Sequence, residues 1–360
     1  MKRRLFAVPK KRQAAFCFAL LFPVACRRDG KRRNGEAHAM EKRHPKNAAG
    51  TREIINERTG RNMPQAIATG TGLVVLILMF LLFLPRICFV ALILLFMLLA
   101  IRELQVSFSL VAIHLPAVVL DCGVIGVLLA TYYAHDHVAA AGAGLVFCLL
   151  ASSAAAAADP YADRFGGKAL EAKKLGVRGT RPSAMREVTF SGRARDVSSS
   201  VFVTLYIVLL ASFLVLLLVR PQYRILEAMA LFVPSLSDIG GLVFGAAFGK
   251  HKLSPRISPK KSYEGLFGSA AFAVIGAMAF YCFAFPSDFC SGGWWKPVVL
   301  GFVIAFVGTF GDLCASMLKR DLGIKDLGHL LKGHGGVLDR IDSILISAPF
   351  TFLLLSVFIA

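Results

Sequence analysis

The stretch Ser200-VFVTLYIVLLASFLVLLL-Val219 carries no charged side chain and stops at Arg220-Pro221. A helix needs about 20 mostly apolar residues, at about 1.5 Å each, to cross a hydrocarbon core about 30 Å thick. This segment therefore reads as a transmembrane helix, and the fold class follows from how often the pattern recurs. Further apolar runs lie at 66–84, 87–101, 225–249, 265–285, 297–313 and 341–360. Residues 105–158 are nearly all apolar, interrupted by Asp121 and by His135-Asp136-His137, and read as two more spans whose dividing point the sequence leaves open. The expectation is an all-α polytopic membrane protein with about nine transmembrane helices.

Composition agrees. The 360 residues are 56% hydrophobic and 18% charged, with a net charge of +19. Soluble domains are about 45–50% apolar and about 25% charged. The positive charge is uneven. Residues 1–62 hold 17 Lys+Arg and 5 Asp+Glu, a net of +12, which leaves 24 and 17, a net of +7, for residues 63–360. A basic tail alone could suit a nucleic acid, but the apolar remainder excludes a nucleic-acid binder. Cys88, Cys122, Cys148, Cys282 and Cys314 sit in or beside apolar runs. With no CxxC pair and no zinc-type spacing, they read as buried thiols.

The chain divides into four parts. Residues 1–62 are a basic leader whose apolar run, Ala14–Cys26, is too short to span, with Met40 as an alternative start. Residues 63–158 are the first membrane helices, 159–199 a hydrophilic loop and 200–360 a second membrane domain. Loop 159–195 holds nine Lys+Arg, loops 250–264 and 314–340 five each, and loop 286–296 only Lys296. Placing the three basic loops in the cytoplasm satisfies the positive-inside rule. The carboxyl end is then outside, and Trp294-Trp295 fall at an interface. Gly240, Gly241, Gly245 and Gly249 permit close helix approach.

Two of the basic loops are unusual because they also carry Asp and Gly, which an orientation bias does not require. Gly311-Asp312 closes one span, followed by Ser316, Lys319-Arg320, Lys325-Asp326, His334-Gly335-Gly336 and Asp339-Arg340-Ile-Asp342. Asp339 and Asp342 share a helix face. In a span, both must face other helices or a polar cavity. Carboxylates gathered with Asp312 would repel one another unless a divalent cation intervened, and oxygen donors without Cys favour magnesium over zinc. Exposed glycine amides among Lys and Arg suit a polyphosphate. The upstream loop adds Asp238, then Ser258-Pro-Lys260-Lys261-Ser262-Tyr-Glu264-Gly265. Glu264 at a helix start also has a simple capping reading. Three further groups read as structural: His135-Asp136-His137 as a polar turn, His114 and Asp121 as packing polars, and Glu103 as an interfacial residue.

At these residues the chain resembles the phosphatidate cytidylyltransferase family, the CDP-diacylglycerol synthases. Its signature runs Ser-x-apolar-Lys-Arg, four residues, Lys-Asp, Pro-x-His-Gly-Gly and Asp-Arg-apolar-Asp. Ser316, Lys319, Arg320, Lys325, Asp326, Gly328, His334, Gly335, Gly336, Asp339, Arg340 and Asp342 fall in register with it. The run from Ser258 to Gly265 is similar to the family's Ser-Pro-Lys-Lys-Thr-x-Glu-Gly. Lys332 stands where Pro or Gly is usual, which would loosen the turn before His334, and Ser262 replaces Thr. The resemblance covers about 235–345.

The resemblance implies transfer of CMP from CTP to phosphatidic acid, giving CDP-diacylglycerol and pyrophosphate, in a bacterial inner membrane with the catalytic loops in the cytoplasm. It implies a catalytic set of Asp312, Lys319, Arg320, Lys325, Asp326, Asp339, Arg340 and Asp342. Asp312 and Asp339 would be the main Mg2+ ligands, supported by Asp342 and Asp326, with a second cation sharing the site. Asp238, Ser258, Lys260, Lys261, Glu264, Ser316, His334, Gly335 and Gly336 would meet the substrates. Members of that family tend to dimerise, which implies a homodimer. Two rival readings are a CTP-dependent lipid kinase, which would transfer the γ-phosphate, and a transporter, which should show an inverted hydropathy repeat that is absent here.

Overall fold

A computed structural model describes residues 63–111, 113–158, 192–254, 258–322, 324, 327–328 and 336–359, with backbone alone at 63–70, 73, 259 and 260. Its helices are α1 (Met63–Phe83), α2 (Arg86–Ser109), α3 (Ala117–Tyr133), α4 (His137–Ala158), α5 (Gly192–Leu218), α6 (Tyr223–Phe248), α7 (Tyr263–Ala284), α8 (Trp295–Asp321) and α9 (Leu338–Ile359). Strands β1 (Lys252–Ser254) and β2 (Ser258–Ser262) form an antiparallel hairpin between α6 and α7. The leader at 1–62 and most of the hydrophilic loop, 159–191, lie outside the described residues.

The chain is an all-α polytopic membrane protein. Among the described residues, seven helices are long and apolar enough to cross a membrane, whereas nine spans were expected. The apolar stretches Val74–Phe83 of α1 and Ala117–Tyr133 of α3 are too short by the same measure. Large apolar side chains such as Phe83, Phe147, Phe283 and Val357 point outward, as lipid contact allows. So do Cys122 and Cys282, against the expectation of buried thiols; Cys148 is buried, and Cys314 is exposed within electrostatic range of Lys261. Lipid and core are alike apolar, so a thiol can face either.

Two boundaries differ from the sequence reading for identifiable reasons. The span expected at 87–101 does not stop at Arg102 and Glu103 but runs on to Ser109. Arg102 pairs with Asp121 of α3, so both charges are matched beside the bilayer. Glu103 is buried for a reason given below. The span expected from Ser200 instead begins at Gly192, because buried Asp196 accepts a hydrogen bond (3.0 Å) from the His114 backbone N–H. The open break within 105–158 falls at 134–136. There Asp136 caps α4 by accepting from Ala139 N–H at 3.0 Å, and His137 Nδ1 lies 2.9 Å from the Thr131 carbonyl. The His-Asp-His run is thus a polar turn.

Helices α6 and α7 pack on glycine. A Cβ at Gly240 would lie 2.7 Å from Phe272 Cβ and also strike the Gly268 carbonyl, so only glycine lets the two backbones meet there. Gly240→Ala should therefore destabilise the protein by about 1–3 kcal/mol, the usual scale of overpacking. Gly126, whose surroundings are open, supplies the control. Thermal unfolding in detergent checks it, and equal midpoints for Gly240→Ala and Gly126→Ala would refute it.

The ends of the bundle differ in chemistry. At one end, Asp288 accepts from Lys296 Nζ (2.8 Å) and from Tyr281 Oη (2.7 Å), and Lys296 also donates to the Phe358 carbonyl (3.1 Å). Lys296 and Tyr281 hold the Asp288 carboxyl below the usual carboxylate range. Trp295 stacks edge-on against Phe358 at this end, as an interfacial aromatic should. At the other end lie the hairpin, the close of α8 and the start of α9.

Candidate active site

The hairpin folds back onto α8. Ser262 caps α7 by accepting from Gly265 N–H at 3.1 Å. Glu264 stands in the first turn of α7, where its charge suits the helix start. It closes the base of the hairpin, accepting from the His251 backbone N–H (3.2 Å) and pairing with His251 Nδ1 (2.7 Å). Tyr263 N–H to His251 O (3.0 Å) completes the closure. The next side chain along β2, Lys261, then reaches α8, where its Nζ lies 2.9 Å from Asp312 Oδ2 and donates to Thr309 O at 3.1 Å.

Helix α8 presents Asp312, Ser316 and Lys319 at spacings of four and three residues, so they share a face. Its last turn carries Lys319 and Arg320, which complement the helix dipole. Lys319 Nζ lies 2.8 Å from Asp339 Oδ1, and Asp339 is nearly buried. Its Oδ2 accepts from Leu327 N–H (3.1 Å) and Gly336 N–H (3.2 Å). Asp339 thus ties the last turn of α8 to two points of the loop before α9. One turn on, Ser343 donates to Asp312 Oδ1 at 3.1 Å and also lies against Asp238 of α6. Buried Asp342 completes the group, in electrostatic range of Asp312, Asp238 and Lys319.

Most of the expected site therefore converges. Asp238, Lys261, Asp312, Ser316, Lys319, Asp339, Asp342 and Gly336 gather at one end of α6, α8 and α9. Arg340 is half-buried beside them and Arg320 is exposed at the rim. Ser258 lies at the tip of β2, paired in register with Ser254. Lys325, Asp326, His334, Gly335 and Lys332 lie outside the described residues, as does the side chain of Lys260.

Glu103 was missed. Its Oε1 accepts from Val337 N–H (2.8 Å) and its Oε2 from Leu338 N–H (3.0 Å). These are free donors at the start of α9, where a negative charge is favoured. Gly328 and Gly336 close over the same carboxylate. A Cβ at Gly336 would sit 2.6 Å from Oε2, and one at Gly328 would strike Oε1. Ser107, one turn further along α2, donates to Leu327 O at 2.9 Å. Helix α2 therefore supports the described residues of the loop before α9. Only an isolated Glu at the end of an apolar run hinted at this.

Asp238, Asp312, Asp339 and Asp342 offer oxygen alone, which suits Mg2+. Among the described residues no three His, Cys, Asp or Glu side chains already close on one point. Instead the ammonium groups of Lys261 and Lys319 sit on Asp312 and Asp339, supplying the positive charge that these carboxylates need. The oxygen donors suit a cation in kind, while Asp312 and Asp339 are paired with lysines.

These features define a polytopic membrane protein with carboxylates and lysines gathered at the ends of its helices, an arrangement suited to a polyphosphate substrate. The cytidylyltransferase family matches residues 64–358, and the chain belongs to that family. Its relatives include the phosphatidate cytidylyltransferase of Mycobacterium leprae, 44% identical over 168 residues, which are 46% of this chain and 52% of that protein. The phosphatidate cytidylyltransferase of Mycobacterium tuberculosis (strain H37Rv) is 37% identical over 179 residues, 49% of this chain and 52% of the relative. That of Haemophilus influenzae is 43% identical over 119 residues, 32% and 40% of the two chains. The chain spans about half the length of the first of these relatives.

Proposed function

We propose that the protein transfers CMP from CTP to phosphatidic acid, releasing pyrophosphate and forming CDP-diacylglycerol. The observation that carries this reading is the convergence of Lys261–Asp312 and Lys319–Asp339 from two loops onto Asp238 and Asp342. The named relatives support the substrates. Both reactants are anions, so charge must be offset before they meet. An oxygen of the lipid phosphate attacks the α-phosphorus of CTP. That P–O bond forms as the bond from the α-phosphorus to the bridging oxygen breaks, and pyrophosphate leaves with the electron pair. The nucleophile is already an anion, so no protein nucleophile is needed.

Lys261, Lys319 and Arg340 hold phosphate oxygens, while Gly336 and the neighbouring His334-Gly335 supply close backbone. Arg320, Lys325, Ser258, Lys260, Glu264 and Ser316 complete the substrate contacts. Asp312, Asp339 and Asp342, with Asp326, are the residues to hold Mg2+, and Asp238 stands beside them. When bound, Mg2+ would neutralise phosphate charge, and a second cation would share the site. Lys261 and Lys319 would pair with the substrate phosphates. The chain sits in a bacterial inner membrane as a homodimer, with the site facing the cytoplasm. CTP comes from water and the lipid from the inner leaflet, so the residues belong at helix ends.

Membranes bearing the protein, given labelled CTP, phosphatidic acid and Mg2+, should form lipid-linked CMP and pyrophosphate. Phosphorylated lipid with CDP would instead establish a kinase.

A further inference from the structure

We propose that Tyr206 donates a hydrogen bond to the phosphate of the lipid substrate. Helix α5 is not α-helical throughout: Thr204–Leu209 form a π-helical turn, a feature that often marks a functional position. A ladder of hydroxyls leads up to this turn. Ser200 Oγ donates to Asp196 O at 2.8 Å and Thr204 Oγ1 donates to Ser200 O at 2.9 Å, with Ser152 of α4 meeting Thr204 at 3.2 Å. The turn packs against α9 and α2, the helices that carry Asp339, Asp342 and Glu103.

Tyr206 lies in this turn. Its ring stacks on Phe202, with centroids 5.3 Å apart and planes at 12°, which fixes its direction. Its Oη is buried and, among the described residues, has no hydrogen-bond partner. Asp342, Asp312 and Asp339 all lie within electrostatic range of that oxygen. A buried hydroxyl left unpaired costs free energy that neither packing nor folding recovers. An oxygen of an incoming phosphate is an acceptor that satisfies it.

Position selects which phosphate. CTP arrives from the aqueous side, where Lys261 and Lys319 stand. Tyr206 lies on the apolar part of α5, beside exposed Leu205 and buried Ile207 and Val208, with no charged residue between it and Arg220. A donor on the hydrocarbon side of the acids meets the phosphate that arrives attached to acyl chains.

This assignment rests on the proposed reaction, and its test separates the two. Wild type and Tyr206→Phe are purified in detergent, and KM is measured for each substrate with the other saturating. Loss of a hydrogen bond to a charged group should raise KM for phosphatidic acid about tenfold or more. KM for CTP should stay within about twofold and the melting temperature should not fall, because the variant removes an unpaired hydroxyl and keeps the ring. Unchanged KM for the lipid, an equal rise for CTP, or a variant that does not fold would overturn the proposal. As a readout without turnover, phosphatidic acid should raise the melting temperature of wild type more than that of Tyr206→Phe, while diacylglycerol should shift both alike. If wild type transfers no CMP, the parent reading fails, and this thermal comparison still decides the contact.

Discussion

Asp312→Asn should lower CMP transfer by about a thousandfold, the scale on which one preorganised electrostatic group acts. It should do so without unfolding the protein. Asp312 makes two contacts of opposite demand: Oδ2 receives Lys261 Nζ at 2.9 Å and Oδ1 receives the Ser343 hydroxyl at 3.1 Å. An amide can keep both. Its carbonyl oxygen faces Lys261, its NH2 faces Ser343, and the serine hydroxyl rotates to accept. Lys261 also keeps the Thr309 carbonyl. What disappears is the negative charge, the property a cation and its phosphates require. Turnover and melting temperature measured together check this, and activity within tenfold of wild type would remove Asp312 from the catalytic set.

Asp339→Asn makes an instructive contrast. Asp339 accepts from Lys319, Leu327 N–H and Gly336 N–H with its two oxygens. An amide nitrogen must then face either an ammonium group or two backbone N–H groups, and all three are donors. This variant should lose stability as well as turnover, so activity alone cannot assign its role.

The legible part of the site was written in residue types and short spacings. Asp339 and Asp342 share a helix face by arithmetic, whereas Asp312, Ser316 and Lys319 do so because α8 runs on to Asp321, past the end expected at 313. The glycines at 240 and 241 announced a close helix contact that Gly240 and Gly268 make. The illegible part lies in partnerships across long sequence separations. Arg102 reads as the end of a span, but Asp121, 19 residues on, matches its charge. Tyr206 sits in a stretch so uniformly apolar that its hydroxyl carried no signal, and a π-helical turn cannot be read from periodicity. Residues 63–83 and 117–133 are apolar enough to resemble spans, yet their helices fall short of the other seven in length or in described apolar extent.

Glu103 is the sharpest case, because its partner Val337 lies 234 residues away. Glu103→Gln tests whether it is the interfacial residue it looked like or a support for the loop before α9. An interfacial Glu is solvated, and its amide variant should change stability by no more than about 0.5 kcal/mol. The buried Glu103 instead uses both oxygens on N–H donors, Val337 at 2.8 Å and Leu338 at 3.0 Å. In Gln one of those oxygens becomes NH2, a donor facing a donor. The cost should be about 1–3 kcal/mol, since a buried amide loses its partner, and the favourable charge at the start of α9 is lost as well. Relief by movement is blocked on two sides, because Gly328 and Gly336 already touch the carboxylate. The loop must therefore shift, and with it Asp339, Asp342 and the backbone at Gly336. A displacement of about 1 Å at reacting groups costs about a hundredfold in rate. Glu103→Gln should accordingly lower the melting temperature and reduce kcat/KM for both substrates by about that factor, even though no substrate contact has been altered. Thermal unfolding and steady-state kinetics on the purified protein check it. A variant with wild-type melting and wild-type kcat/KM would return Glu103 to the membrane interface and leave the loop before α9 to be held by Asp339 and Ser107.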